Sequence, residues 1–416
     1  MILFKNKTMI TEDYGLPKHD EVEYLVGDPS NFLQRRVLHP FNALTIEFLS
    51  ELSNTILKSS IAKLYPDVIT FGYWCRSANL KKMKAGYTNL DNRKGLGTVF
   101  HIAPSNVPIN FAFSYVFSLL SGNLSIVRVP SKNFDQIEIV SLIIKSLFEN
   151  PIYNLIRNNT YFIRYPQNGT ITRRLSFISN ARLIWGSDET VKTIKSFDTP
   201  SRCIDVPFSE RYSFAIIGAA EVLDLDEVNL KRLVDGFFND TYLMDQNACS
   251  SPQFILWYTK DEQISEASKA KFWDAVNRKV NNEYDLAAKS SIDKLTWMCL
   301  DLVNRDYVTE VKTNTNNIYR VQINTLPDSI LELNGKYGYF HEYSTSDISI
   351  IEKLMDIKIQ TLTYFGVNKE ELYNVVYNAG NVGIDRIVPI GTALDIGIVW
   401  DGYDMIYTLS KIVDLK

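Results

Sequence analysis

The 416-residue chain holds few of the residues that cross-link small folds or bind metals. It has four cysteines, at 75, 203, 249 and 299, and four histidines. No two cysteines make a CxxC pair, and none stands near a histidine at ligand spacing, which argues against a structural zinc site. A disulfide framework is a habit of small secreted chains, so reduced thiols are expected here. Charge of one sign is also scarce: 44 Lys and Arg stand against 48 Asp and Glu, a formal net charge of -4. No basic excess points to nucleic acid. The strongest apolar run, around FAFSYVFSLL, falls short of the roughly 20 residues that a bilayer span needs. The opening MILFKNKTMITEDYG has no apolar signal region, so a cytoplasmic protein is expected. Heptads, tandem repeats and low-complexity tracts are missing. So are GxGxxG and GxxxxGK[ST], which removes the standard dinucleotide fingerprint and the P-loop; GLG at 95–97 is too short to count as either.

What is present is an alternation of strands and helices. The composition, 45% hydrophobic and 22% charged, is that of a globular chain, and the length suggests two or three domains. FNALTIEFLSELSNTILKS, from 41, carries apolar residues at helical spacing. VFHIA reads as a strand and PSN as a turn. Ser105 or Asn106 then caps an apolar helix with an early proline, Pro108, which Gly122 ends. SIVRV is the next strand, and strand–helix–strand is the mark of a parallel sheet. VSLIIKSLF continues as a helix, YFIRY and ARLIW as strands. ARLIW runs into GSDETVKTI, where Ser187 or Asp188 caps a helix. A glycine between a strand end and a helix start gathers free N–H groups and the positive dipole end, which suits a phosphate. RYSFAIIG opens a second domain, LKRLVDGFFNDTYLMDQ is a helix and QFILWY a strand. SEASKAKFWDAVNRKV and ISIIEKLMD are helices, IQTLTYFG a strand. The tail is strand-like around VPIG and IGIVW, then helical.

Three signals carry chemistry. In DQNACSSPQF, residues 245–254, Cys249 sits among small polar residues before an apolar strand. A thiol there is a nucleophile or a small buried residue. Asn106 lies in the IAPSNVP turn, where asparagine is also a common helix cap. WGSDE presents a helix N-terminus. His101, alone in an apolar strand, reads better as a structural residue than as an acid or base. The residues alone lead no further than an α/β enzyme that uses a thiol.

The motifs HIAPSNVPINFAFSYVFSLLSGN, GNLSIVRVPSK, WGSDETV, RYSFAII, NACSSPQ, KIQTLTYFG and DRIVPIGTALDIGIVWDGYD, in this order from about residue 95 to the C-terminus, resemble the acyl-CoA reductase (LuxC-type) family of the aldehyde dehydrogenase superfamily. The resemblance implies two Rossmann-like α/β domains with the active site in the cleft between them. Residues 1–205 are expected to form the cofactor domain, with part of the tail returning to it. Residues 206–380 are expected to form the catalytic domain, and 381–416 a tail for packing or oligomerisation. It implies NADPH-dependent reduction of an acyl thioester, acyl-CoA or acyl-protein, to an aldehyde, NADH being the less favoured cofactor. Cys249 matches the nucleophile. Pro104, Asn106 and Pro108 match the superfamily's Pro-x-Asn-x-Pro turn, so the Asn106 amide and the Cys249 N–H are expected to hold the oxyanion. Pro104 and Ser105 are placed beside the cofactor. Gly186 and Ser187 match the loop that meets the pyrophosphate, and Glu332 matches a glutamate on the nicotinamide ribose.

Two departures from the superfamily carry information. Arg128 stands where a lysine meets the adenosine ribose, with Val129 as an extra residue before Pro130; a guanidinium forks onto a 2′-phosphate. Phe208 falls near the position of the hydrolytic glutamate, with Glu210 two residues on. An apolar ring there would keep water from the acyl-enzyme. The family also implies an acyl-protein synthetase partner and a homo-oligomer. The rival readings are an NAD-linked aldehyde dehydrogenase with Glu210 as base, and an acyl-carrying subunit that has lost hydride transfer.

Overall fold

The computed structural model describes residues 15–104 and 107–416. The chain divides into one unit made by the described residues up to Ser209 with Gly397–Lys416, and a second made by Glu210–Ile396. In the first unit six strands form one sheet: β1 (Glu23–Val26), β2 (Thr98–Ile102), β3 (Leu124–Arg128), β4 (Thr160–Arg164), β5 (Ala181–Trp185) and β6 (Ile204–Phe208). Their spatial order is β1-β4-β3-β2-β5-β6. β2 to β6 are parallel, and β1 lies antiparallel on the edge beside β4. β2 and β5 are buried at every position, as strands covered on both faces must be. From β2 the chain winds to β3 and β4 on one side, then crosses to β5 and β6 on the other. Ligands of such sheets bind outside the carboxyl ends of the strands at this reversal. Ala103 and Pro104 follow β2 there, and Gly186 and Ser187 follow β5.

Helix α1 (Asn110–Leu120) is buried along its whole length. It starts later than its sequence suggested. Ile109, not Ser105 or Asn106, holds the cap position and makes no side-chain cap bond. The Asn110 N–H donates to the Val107 carbonyl at 3.2 Å, so a tight turn through Pro108 precedes the helical bonding. Proline has no N–H to give such a turn and fixes its φ. Gly122 ends the helix as expected. Its φ is +85°, and a Cβ there would lie 2.2 Å from the Leu38 carbonyl oxygen. The last residues return to this unit. Ser410–Ile412 pairs antiparallel with Arg93–Gly95. Within WDGYD, Asp401 and Gly402 take positive φ (48° and 74°) in a hairpin between Val399–Trp400 and Tyr403–Asp404. WDGYD packs on its own unit: Tyr403 meets the Phe208 ring edge-on and Asp404 accepts from the Tyr87 hydroxyl.

The second unit is built on β7 (Tyr212–Gly218), β8 (Pro252–Tyr258), β9 (Val308–Thr315), β10 (Ile318–Ile323), β11 (Tyr339–Thr345), β12 (Ile359–Phe365) and β13 (Arg386–Pro389). The order is β9-β10-β11-β8-β7-β12-β13, parallel except for the β9–β10 pair. Alternate residues separate onto the two faces. Phe214, Ile216, Phe254 and Leu256 enter one apolar cluster, while Ile217, Ile255 and Trp257 enter the other, under α3 (Glu227–Thr241) and α4 (Glu262–Glu283). A third helix, α5 (Ala288–Asn304), turns Lys294 and Asp301 inward and leaves Ile292, Leu295, Leu302 and Val303 exposed. Among the described residues no single helix is long and apolar enough to cross a membrane.

One buried charge in this unit is fully paired. Glu342, 1% exposed, accepts from the Trp257 and Trp273 indoles, both at 2.7 Å, and from Arg320 Nε at 2.8 Å. Removing one member of such a pair strands the other in an apolar interior. Glu342→Ala is therefore expected to destabilise the second unit by about 3–5 kcal/mol, read from urea unfolding, whereas a loss below about 1 kcal/mol would show that Arg320 finds water instead.

Candidate functional site

In the first unit, the strand ends gather the residues that the sequence pointed to. Arg128 closes β3. Its guanidinium lies over the Tyr165 ring, 4.8 Å from the centroid, and its buried Nε has no hydrogen-bond partner. Gly186 follows β5 and donates its N–H to the Phe208 carbonyl at 3.1 Å. A Cβ on Gly186 would lie 2.9 Å from Thr190 Cγ2, so only glycine lets the turn lie this close to its helix. Ser187 caps that helix, α2 (Asp188–Lys195), accepting from the Thr190 N–H at 3.3 Å. The N-terminus of α2 thus stands at the strand ends, with its dipole and uncapped N–H groups available to an anion. Pro104 follows β2 on the same edge of the sheet. Ser105 and Asn106, expected beside the cofactor and in the oxyanion site, lie outside the described residues.

Phe208 is 4% exposed and stacks on the Trp185 indole, 3.9 Å between centroids. The indole N–H donates to Ser114 Oγ at 3.2 Å, and the same oxygen bonds His101 Nδ1 at 2.8 Å. His101 is wholly buried, and burial pushes its imidazole down to about 3. It is neutral at every physiological pH and belongs to the packing beneath the indole. Glu210 is exposed and begins the second unit.

In the second unit Cys249 lies in the turn between α3 and β8, at the amino end of the strand. It is exposed. Two left-handed residues, Asp245 (φ 53°) and Gln246 (φ 54°), reverse the chain ahead of it. The Ser251 N–H donates to the Ala248 carbonyl at 2.9 Å and closes the turn around the thiol. Ser213, at the start of β7, donates to the Cys249 carbonyl at 2.6 Å. Gln246 reaches across the base to Pro252 and to Gly338 and Tyr339. The other thiols differ. Burial pushes Cys203 up to about 11 and Cys75 further still, so neither supplies thiolate at neutral pH. Cys299 is exposed on α5. Glu332 is exposed in the Ile330–Glu332 turn, and its carbonyl accepts from Arg305 at 2.5 Å. The following segment binds the thiol turn through Gly335 N–H to Gln253 Oε1 (3.0 Å) and Gly338 N–H to Gln246 Oε1 (2.6 Å). No group of three or more potential metal ligands occurs among the described residues.

Ser213, Gln246 and Gln253 were missed by sequence reasoning. Their only signal was two glutamines flanking a run of small residues before a buried strand.

The model of the LuxC acyl-CoA reductase family matches residues 76–414. Solved structures share the fold at low identity. Aldehyde dehydrogenase 21 from Physcomitrella patens, in complex with the reaction product succinate, is 13% identical, with 89% of this chain and 84% of that chain covered and a TM-score of 0.60. An indole-3-acetaldehyde dehydrogenase in complex with NAD+ is 10% identical over 89% and 82%, TM-score 0.60. The aldehyde dehydrogenase KauB from Pseudomonas aeruginosa is 12% identical over 90% and 81%, TM-score 0.59. No curated protein matches the chain.

The buried His101 carries a pH dependence. An unfolded imidazole protonates near 6.5, the folded one only near 3, so the unfolded state takes up a proton first as the pH falls. The contribution to stability is complete above about 6.5 and is lost towards 3, at up to about 1.4 kcal/mol per pH unit. His101→Gln should flatten the stability curve in that window by one proton, measured by urea unfolding at a series of pH values; an unchanged slope would mean that the native imidazole titrates normally.

Proposed function

The chain belongs to the LuxC acyl-CoA reductase family, an oxidoreductase family that acts on acyl groups to give aldehydes, and from that premise we propose that it reduces an acyl thioester with NADPH through an acyl-cysteine on Cys249. The observation that carries this reading is the exposed thiol on a turn whose backbone is hydrogen-bonded at both ends, whereas burial raises the Cys75 and Cys203 thiols. In the proposed reaction the Cys249 thiolate attacks the thioester carbonyl, and the CoA or carrier thiolate leaves. The Cys249 N–H and the Asn106 amide hold the oxyanion. A dihydronicotinamide held by the first unit's residues would supply the hydride that reduces the acyl carbon. The resulting thiohemiacetal expels the Cys249 thiolate and releases aldehyde, one thioester, one NADPH and one proton giving aldehyde, thiol and NADP+.

The first unit's residues fit a dinucleotide. Gly186 leaves room at the N-terminus of α2 for a pyrophosphate, and the family resemblance assigns Pro104 and Ser105 to the cofactor. The unpartnered Arg128 Nε suits a 2′-phosphate, which favours NADPH over NADH. Glu332 is assigned to the nicotinamide ribose. Phe208, held on Trp185, brings no base to activate water, so the acyl-cysteine waits for hydride. An acyl-protein synthetase as donor and a homo-oligomer belong to the same proposal.

Single-turnover NADPH oxidation with a panel of acyl-CoA thioesters tests it. The wild type should consume NADPH and form aldehyde, and Cys249→Ala should do neither. Acylation of Cys249 without NADPH oxidation would replace the reductase with an acyl carrier. Arg128→Gln is expected to raise the KM for NADPH by about tenfold or more, the range for a lost charge-assisted bond, with little change for NADH. Equal effects on both would remove the 2′-phosphate assignment.

A further inference from the structure

We propose that Gln246 and Ser213 are positioning residues that hold the Cys249 backbone, and with it the Cα–Cβ bond from which the thiol projects; this rests on the reading of Cys249 as nucleophile. The backbone that carries an exposed side chain sets where its Cα–Cβ bond points. That backbone is held at three points.

Gln246, three residues before Cys249, is 1% exposed although its φ is +54°. Its Nε2 donates to the Pro252 carbonyl at 3.0 Å and the Tyr339 carbonyl at 3.3 Å. Its Oε1 accepts from the Gly338 N–H at 2.6 Å and the Tyr339 N–H at 3.2 Å. Both donors and both lone pairs of the amide are used. Pro252 stands three residues after Cys249, so this one side chain ties both ends of the turn together and fixes them to β11. Glutamic acid has the same shape, but its second oxygen would face two carbonyls.

Ser213 fixes the peptide that leaves Cys249. The Thr361 N–H donates to Ser213 Oγ at 3.1 Å, and the hydroxyl proton goes to the Cys249 carbonyl at 2.6 Å. The sense is unambiguous, because an N–H only donates and a carbonyl only accepts. Because the peptide is planar, the bond that holds the Cys249 carbonyl also orients the Ser250 N–H on the same plane. The Ser251–Ala248 bond closes the remaining corner. The Cα–Cβ bond of Cys249 is therefore held in place with χ1 alone left to turn, and thioester attack depends on that placement in a way that simple alkylation does not.

The test compares wild type, Ser213→Ala, Ser213→Thr and Gln246→Met. The first readout is the rate of Cys249 acylation by an acyl-CoA; the second is alkylation of the same thiol by iodoacetamide, located by peptide mass. Ser213→Ala should slow acylation by about tenfold or more, with alkylation, the KM for NADPH and Tm near wild type. Ser213→Thr, which keeps the hydroxyl, should restore the rate. Gln246→Met should act in the same direction and more strongly; if it does not fold, the serine pair decides. Acylation within twofold of wild type in Ser213→Ala overturns the proposal, as does a parallel fall in acylation, alkylation and Tm, which would mark a purely structural role. If the wild type itself is not acylated at Cys249, the nucleophile reading fails first and takes the proposal with it.

Discussion

A chain that leaves helical bonding after Met244 and enters a sheet at Pro252 has a stretch of N–H and carbonyl groups that neither ladder serves. Buried and unpaired, each would cost on the order of a hydrogen bond's desolvation. This requirement governs the whole neighbourhood of Cys249. Gln246 meets it by accepting a left-handed backbone, which costs a non-glycine residue roughly 1 kcal/mol or more, in return for four hydrogen bonds in the interior. Asp245 takes the same conformation, which asparagine and aspartate tolerate better, and its carboxylate receives the Tyr284 hydroxyl. Ser213 satisfies the carbonyl at the top. Exposure of the thiol and rigidity of its backbone then follow from one arrangement.

The alternation of helix and strand was legible because most elements bury one clear apolar pattern. VFHIA, ARLIW, YSFAIIG and QFILWY are strands in the structure much as they read in the sequence. Gly122 and Ser187 behaved as local chemistry requires, one ending a helix and the other beginning one. The expected cap at Ser105 or Asn106 failed because Pro108 forces a turn before α1 can start. Helix α5 escaped because its periodicity is inverted: Lys294 and Asp301 occupy the inner face, where Lys294 donates to the Asn316 carbonyl and Asp301 receives Tyr339, His341 and Arg305. An apolar stripe read as the inner face would have turned that helix around. The role of Gln246 depends on Gly338 and Tyr339, far along the chain. No local pattern announces such partners, whereas the cysteine itself was singled out by its motif.

The missing glycine fingerprint has a structural counterpart. The sequence that follows β2 is APSNVP, with proline where glycines would sit, yet the strand order of the first unit reverses beside β2 as in other doubly wound sheets. The glycine that leaves room for a close approach is Gly186, after β5 on the other side of the reversal. A search for spacing in the first turn therefore finds nothing, although the sheet retains the reversal of strand order and a helix N-terminus at the strand ends.

The ring pair of Trp185 and Phe208 bears on the direction of the proposed chemistry. Position 208 is 4% exposed and in stacking contact with an indole that is itself hydrogen-bonded to Ser114. An ionised carboxylate at such a place would lose its hydration without gaining a partner, and burial would push its proton affinity up. The packing around Phe208 is thus built for a ring. Glu210, two residues on, is exposed and falls in the other unit. Under the proposed reaction, with Phe208 at the position of the hydrolytic glutamate, no base would stand there to activate water, and a slowly hydrolysed thioester is what a reductase requires.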